Sequence, residues 1–180
     1  EYPQIEVVQL QINYADFDDP AVQGRACLEV CVRHQKPVIV MEPVKGGILA
    51  RLPAEAKQVF DSRTEATPAS FAIRYAASAQ NVFMVLSGMS DLAQVRENYG
   101  FMRDFIPFTE EEYRTAEEDG AVVRRADLFP RTRSRYSTAG CPKHISIPDL
   151  FSDMNAKTMY KDWNSDWYYG VHTAKGARAR

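Results

Sequence analysis

Cys141 stands directly before Pro142, with Arg131, Ser134 and Ser137 at measured intervals ahead of it. Iron–sulfur ligation uses the run C-x2-C-x2-C-x3-C-P. Placed with its last cysteine on Cys141, that run puts its other three ligands on Arg131, Ser134 and Ser137. The spacing is kept and three of the four thiolates are not. Two readings fit Arg131–Pro148: a cluster site that has lost its ligands, and a basic loop in which Cys-Pro falls by chance. The remaining cysteines, Cys27 and Cys31, lie four apart on a predicted helix and read as small core residues rather than a metal pair. An odd count of three argues against a disulfide framework and for a reducing compartment. His34, His144 and His172 are far apart, and no metal spacing joins them.

Three further places could bind or position a ligand, each at the carboxyl end of an expected strand, where parallel βα architectures place their sites. The first strand carries Gln9 and Gln11. An amide facing a barrel interior needs a partner, and either a cofactor amide or a structural group could supply it. The second strand ends in "MEPVKGG". There the glycines let the backbone approach a ligand and Lys45 adds positive charge near phosphates, although a Gly-Gly connection is also common without function. The third strand ends in "LSGMSDLAQVREN". Gly88 and Ser90 open a helix whose free N–H groups and positive dipole end favour an anion. Gln94, Glu97 and Asn98 follow within two turns and could read an adenosine; a plainly capped helix is the simpler alternative.

The elements that must hold these groups alternate. "IEVVQLQIN" (Ile5 to Asn13), "PVIVME" (Pro37 to Glu42) and "NVFMVLSG" (Asn81 to Gly88) read as strands, the last two as short apolar runs of a buried parallel sheet. Asp19 and Pro20 are placed to start a helix with Val22, Ala26 and Val30 near one face. "PVKGGILARLP" reads as a long loop. Thr67-Pro68 opens a second helix, "SDLAQVRENYGFM" forms a third, and Thr109 with Glu112 makes a capping box for an exposed fourth. Three strands cannot close an eight-stranded barrel. They form one side of one, or a small open sheet. From Phe129 onward the helical period fades. The boundaries expected are therefore 1–128 for the α/β part and 129–180 for a small, mostly helical extension.

The chain has 180 residues, 45% hydrophobic and 26% charged, with formal net charge −2. That balance argues against nucleic acid as the main partner. No apolar run approaches membrane-spanning length, so no membrane partner is expected and a cytoplasmic setting is. The chain enters a strand almost at once, as the later part of a longer protein would.

Taken in order, "VVQLQINYAD", "GRACLEVCVRHQKPVIVMEPVKGGILARLP", "SFAIRYAAS", "VLSGMSDLAQVREN" and "GCPKHISIPDLF" resemble the later part of aldo/keto reductases. The likeness is greatest to the bacterial branch with a C-terminal ferredoxin-like iron–sulfur extension. The resemblance implies the later part of a (β/α)8 TIM barrel that binds NADP or NAD in extended form and reduces a small carbonyl substrate. It implies that Gln9 contacts the nicotinamide amide and that Met41 takes the place of an aromatic stacking residue. It places Pro43, Val44, Lys45 and Gly46 along the pyrophosphate, and Gly88, Ser90, Gln94, Glu97 and Asn98 around the adenosine. Ser90 stands where many NADPH-using members have arginine, and serine cannot supply a bidentate cation.

The family's catalytic Asp, Tyr, Lys and His belong to earlier strands. No catalytic residue is assigned here, Tyr14 included, and the chain alone is expected to be inactive. The alternative is a non-catalytic remnant or protein-interaction module. The resemblance also favours the first reading of Cys141, as the survivor of a degenerate cluster site, so neither an iron–sulfur cluster nor another metal is expected.

Anaerobic iron–sulfur reconstitution should leave the chain colourless. Arg131→Cys, Ser134→Cys and Ser137→Cys together should restore absorption near ~400 nm, since a cluster needs thiolate ligands. A cluster in the unmodified chain, or none in the triple variant, would contradict the inherited spacing.

Overall fold

The computed structural model describes residues 4–20, 22–125, 142, 145–160 and 165–177. Two compact units divide at 124/125. Arg131, Ser134, Ser137 and Cys141, the broken cluster run, lie outside the described residues.

The first unit is built on three parallel strands in the order β1 (Val8–Gln11), β2 (Val38–Met41) and β3 (Val82–Val85). Val8 to Gln11 pair in register with Val38 to Met41. β2 meets β3 with a shift between Val38 and Ile39. α1 (Gly24–Arg33) connects the first two strands, and α3 (Pro68–Ala77) leads into the third. Val38 and Val40 are fully buried on the helix-covered face. Their neighbours Ile39 and Met41 point to the opposite face, alongside their register partners Gln9 and Gln11.

The third strand is not buried as expected. Phe83 is 58% and Met84 47% exposed. β3 has only one strand partner among the described residues, and the helix after it, α4 (Leu92–Arg103), buries none of its side chains.

α1 begins later than Asp19-Pro20 predicts. Turns carry the chain from Asn13 to Gln23, with Asp19 N–H donating to Asp16 O at 2.9 Å and Gln23 N–H to Asp19 O at 2.7 Å. Gln23 then caps the helix in the left-handed region, at φ 55°. The next residue must be small: a Cβ on Gly24 would lie 3.0 Å from Gln11 O and 3.1 Å from the Phe17 ring. The buried face of α1 is Gly24, Leu28 and Cys31, whereas Val30 is 49% exposed. Cys31 is a core residue whose thiol is pushed up, first by burial and then by Cys27.

The expected long loop after β2 holds a 3-10 helix, Lys45–Ala50, that buries Leu49, and α2 (Ala54–Asp61) follows. α3 starts as read: Thr67 Oγ1 accepts from Ser70 N–H at 3.2 Å, with Pro68 in the first turn. Its Phe71 and Tyr75 anchor an aromatic cluster with Tyr14, Phe17, Phe60, Phe108 and Tyr113, mostly edge to face. Such contacts add to area burial by about 0.5–1.5 kcal/mol per pair.

The capping box of α5 (Glu110–Arg125) forms reciprocally. Thr109 N–H donates to Glu112 Oε2 at 2.8 Å, and Glu112 N–H to Thr109 Oγ1 at 3.2 Å. Glu112 also takes two bonds from the Arg74 guanidinium, at 2.9 and 3.3 Å, which ties α5 to α3. The helix is not simply exposed. Ala116, Asp119, Gly120 and Val123 form a buried stripe at helical spacing. Small residues there let α5 lie close to the core.

In the second unit the described residues form α6 (Ile147–Tyr160) and α7 (Ser165–Ala177). His172 Nδ1 lies 2.7 Å from Asp153 Oδ2 and joins them. Among the described residues no helix is long and apolar enough to cross a membrane.

Asp119 carries a cost of this packing. It is 1% exposed, and neither carboxyl oxygen has a hydrogen-bond partner among the described residues. Burial raises its pKa to about 6; the Arg63 charge lowers it and the Glu118 charge raises it. The native pKa exceeds the unfolded one of about 3.9, so stability falls as pH rises from about 4 to 6 and stays lower above that. Asp119→Asn should therefore gain on the order of 2 kcal/mol over the parent at pH 8 relative to pH 4 in urea unfolding. A difference independent of pH would contradict this origin.

Candidate functional site

The site is assembled at the carboxyl ends of β1 and β2 by one buried asparagine. Asn13 is fully buried. Its Oδ1 accepts from Ala15 N–H at 3.2 Å and from Asp16 N–H at 2.9 Å, closing an Asx turn. Its Nδ2 donates to Glu42 O at 3.1 Å, so the turn after β1 is fastened to the residue after β2. Asp16, thereby placed, is 5% exposed. It pairs with Lys45 and accepts from Gln11 Nε2 at 3.2 Å. Lys45, read as a positive charge near phosphates, is held by Asp16, and its side chain is 16% exposed.

The loop after β2 is locally left-handed. Glu42, Lys45, Gly46 and Gly47 have φ of 56°, 50°, 61° and 93°. Glu42 and Lys45 adopt this region against the usual steric cost for a side chain, about 1 kcal/mol or more each. Glu42 Oε2 accepts from Gly46 N–H at 2.8 Å, which holds the bend. A Cβ on Gly46 would meet nothing within 4 Å, so the outer side of this backbone is open. Pro43 is buried and Val44 caps the 3-10 helix.

On the face away from the helices, Gln9 Nε2 lies 3.1 Å from Met41 Sδ. The two expected nicotinamide contacts are therefore neighbours. A thioether is a weak acceptor, and the amide donor is left available for a better one.

The third segment leaves the adjacent strand. Leu86 N–H donates to Val40 O at 2.8 Å, which sets the end of β3 beside that of β2. Gly88 is exposed, with open space at its Cβ position. Asp91 caps α4, accepting from Gln94 N–H at 2.9 Å. Ser90 N–H donates to Gln94 Oε1 at 2.8 Å. Asn98 donates to Ser87 Oγ at 3.2 Å, and Glu97 accepts from Thr67 Oγ1 at 2.5 Å. Thr67 caps α3, so Glu97 fastens the start of one helix to the side of the next. The helix N-terminus is present, and two donors at its start, Ser90 N–H and Gln94 N–H, are already taken by side chains. Among the described residues no three or more His, Cys, Asp or Glu gather as a metal-binding group.

Asn13, Asp16 and Glu42 are the site residues that sequence reasoning missed. The one signal was the Asn13–Asp16 interval, which suits an Asx turn. The bonds to Glu42 and Lys45 span 29 residues and leave no local pattern.

The profile of the aldo/keto reductase family matches residues 1–119. Among solved structures, the chain is similar to aldo-keto reductase AKR11C1 from Bacillus halodurans in its holo form. The identity is 22% and the TM-score 0.51, over 63% of this chain and 42% of that one. The apo form of the same enzyme gives 22% identity and a TM-score of 0.53, over 64% and 44%. The chain spans less than half the length of these relatives. No curated protein sequence matches it. The three parallel strands with their helices match part of a (β/α)8 barrel.

Proposed function

The chain belongs to the aldo/keto reductase family, and from that membership we propose that it is the nicotinamide-nucleotide-binding later part of a carbonyl reductase, acting in the cytoplasm. The adjacency of Gln9 and Met41 at the ends of two paired strands carries the reading. The residues fit such a cofactor. Gln9 has an amide donor now given only to sulfur, and Met41, 37% exposed, offers a polarisable face for a ring. The open backbone at Gly46 admits a pyrophosphate. At the start of α4, Gln94 Oε1 sits on the donor that a phosphate oxygen would use, and its side chain would swing aside. Lys45 acts through its pair with Asp16, fixing the loop and leaving part of its charge toward the nucleotide.

The bound nucleotide would supply hydride to a carbonyl carbon. This chain's share is to hold and orient. Gln9 fixes the carboxamide edge and Met41 packs against the ring. The left-handed loop presents backbone where a side chain would obstruct, and Ser90, Gln94, Glu97 and Asn98 surround the far end. No residue here is offered as the proton donor. Tyr14 is 4% exposed within the aromatic cluster, and its phenol is pushed far up, first by burial and then by Asp119. Without general acid help worth roughly 10²–10⁴-fold, the chain alone does not turn over. The cluster run is read as degenerate.

A second reading, a non-catalytic interaction module, draws on the apolar side chains exposed along β3 and α4: Phe83, Met84, Leu92, Val95 and Tyr99.

Titration of the isotope-labelled chain with NADH and with NADPH, followed by NMR, separates the two. Signals of Gln9, Gly46, Ser90 and Gln94 should move first, with no steady aldehyde reduction. Ser90→Arg should shift preference toward NADPH several-fold, as a charged hydrogen bond is worth roughly 1.5–3 kcal/mol. Silence at these residues favours the interaction module. Reduction of an aldehyde by the chain alone would overturn the assignment of no catalytic residue.

A further inference from the structure

A cavity of about 520 Å3 opens between α1, α3 and the start of α5, and it contains none of the candidate cofactor residues. Its walls include Phe17, Leu28, Val32, Ala79 and Tyr113. The volume lies within the range of small-molecule sites, roughly 300–1,000 Å3. A mostly apolar wall interrupted by a few polar groups is also their usual composition.

Tyr75 distinguishes this cavity from a packing gap. The residue is 7% exposed and lines the cavity. Edge-to-face contacts with Tyr14, Phe17, Phe108 and Tyr113 surround its ring, at centroid distances of 5.9, 6.2, 5.8 and 5.7 Å. The ring cannot turn away to find a partner. Its hydroxyl has no hydrogen bond to any described residue. Unlike the Tyr14 hydroxyl, that of Tyr75 is not sealed from solvent, so water meets it in the open cavity and a ligand oxygen would take that water's place. Burial is the largest influence on the phenol and raises its pKa, with the Arg25 charge opposing. The group therefore stays protonated at neutral pH and acts as a donor.

The charges around the cavity select against an ion. Arg25 is held by Asp18 at 2.5 and 3.0 Å and lies over the Phe17 ring, 4.6 Å from its centroid. Arg33 and Glu29, one turn apart on α1, are the remaining charged residues of the lining and cancel formally. Neither a carboxylate nor an amine gains an uncompensated partner there.

We propose that this cavity binds a neutral, largely apolar small molecule that presents one carbonyl-type oxygen to the Tyr75 hydroxyl. The apolar body fills the space between α1 and α3. The oxygen accepts the hydrogen bond that the protein leaves unmade. The preformed ring cluster keeps the donor fixed, so little ordering is needed on binding.

Acetanilide is a suitable probe: its amide oxygen is an acceptor, and a hydride-transferring carbonyl reductase does not reduce an amide. Isobutylbenzene has nearly the same shape and no acceptor. NMR titration of the full chain with each should move Leu28, Val32 and Ala79 signals. Tyr75→Phe should weaken acetanilide roughly three- to tenfold, the range of a neutral hydrogen bond, and leave isobutylbenzene unchanged. Equal effects on both probes, or none on either, would mean that water alone satisfies Tyr75 and would overturn the proposal. Ala79→Leu, one turn beyond Tyr75, fills the cavity and should abolish binding of both probes. Binding that survives it, or shifts confined to Gln9, Gly46 and Ser90, would equally overturn the site.

Discussion

The buried side chain of Asn13 is the constraint on which the strand ends depend. It closes the turn after β1 through Ala15 and Asp16, and it reaches across to the backbone of Glu42 after β2. A buried amide that loses such partners costs about 1–3 kcal/mol for each group left unsatisfied. The turn and the loop are consequently held as one piece. Asp16 is presented to Lys45 and Gln11 because Asn13 has bent the chain there. The left-handed residues Glu42, Lys45 and Gly46 persist because both ends of their loop are tied.

The two faces of the sheet divide the work. One carries Val38 and Val40 against helices, with the aromatic cluster behind them. The other carries Gln9, Gln11, Ile39 and Met41, of which Gln9 and Met41 are exposed. Alternation along a strand makes this division automatic once the register is set, and a slip of one residue would reverse it. Gln9 and Met41 are brought together by that register. The nucleotide-binding proposal and the cavity proposal therefore rest on opposite faces of the same strands.

Much of the fold was legible because its signals are short-range. Thr67-Pro68 and Thr109–Glu112 cap their helices within three residues, and both caps form as read. The strands announced themselves as apolar runs, although β3 proved half exposed. The start of α1 was not legible. Asp19-Pro20 is a sound local signal, but the turns from Asn13 onward and the close approach of Gly24 to Gln11 and Phe17 outweigh it. The 3-10 helix at Lys45 was hidden by its glycines. α5 looked exposed because its buried stripe consists of alanine, an aspartate, glycine and a single valine rather than a run of large apolar residues. At the candidate site, the resemblance points to Gln9, Met41 and Gly46, and the strand register brings the first two together. The captive state of Lys45 could not be read from the sequence, since its partner is 29 residues away.

The claim that the turn closed by Asn13 delivers Asp16 to Lys45 as a buried junction tying the two strand ends can be tested by a double-mutant cycle on Asp16 and Lys45. Asp16→Asn, Lys45→Met and the double variant would be unfolded in urea at neutral pH. Each single change should destabilise the first unit, since removing one partner strands the other charge. The double variant should recover part of the loss, giving a coupling on the order of 1–3 kcal/mol. Losses that simply add, with coupling near zero, would contradict the account.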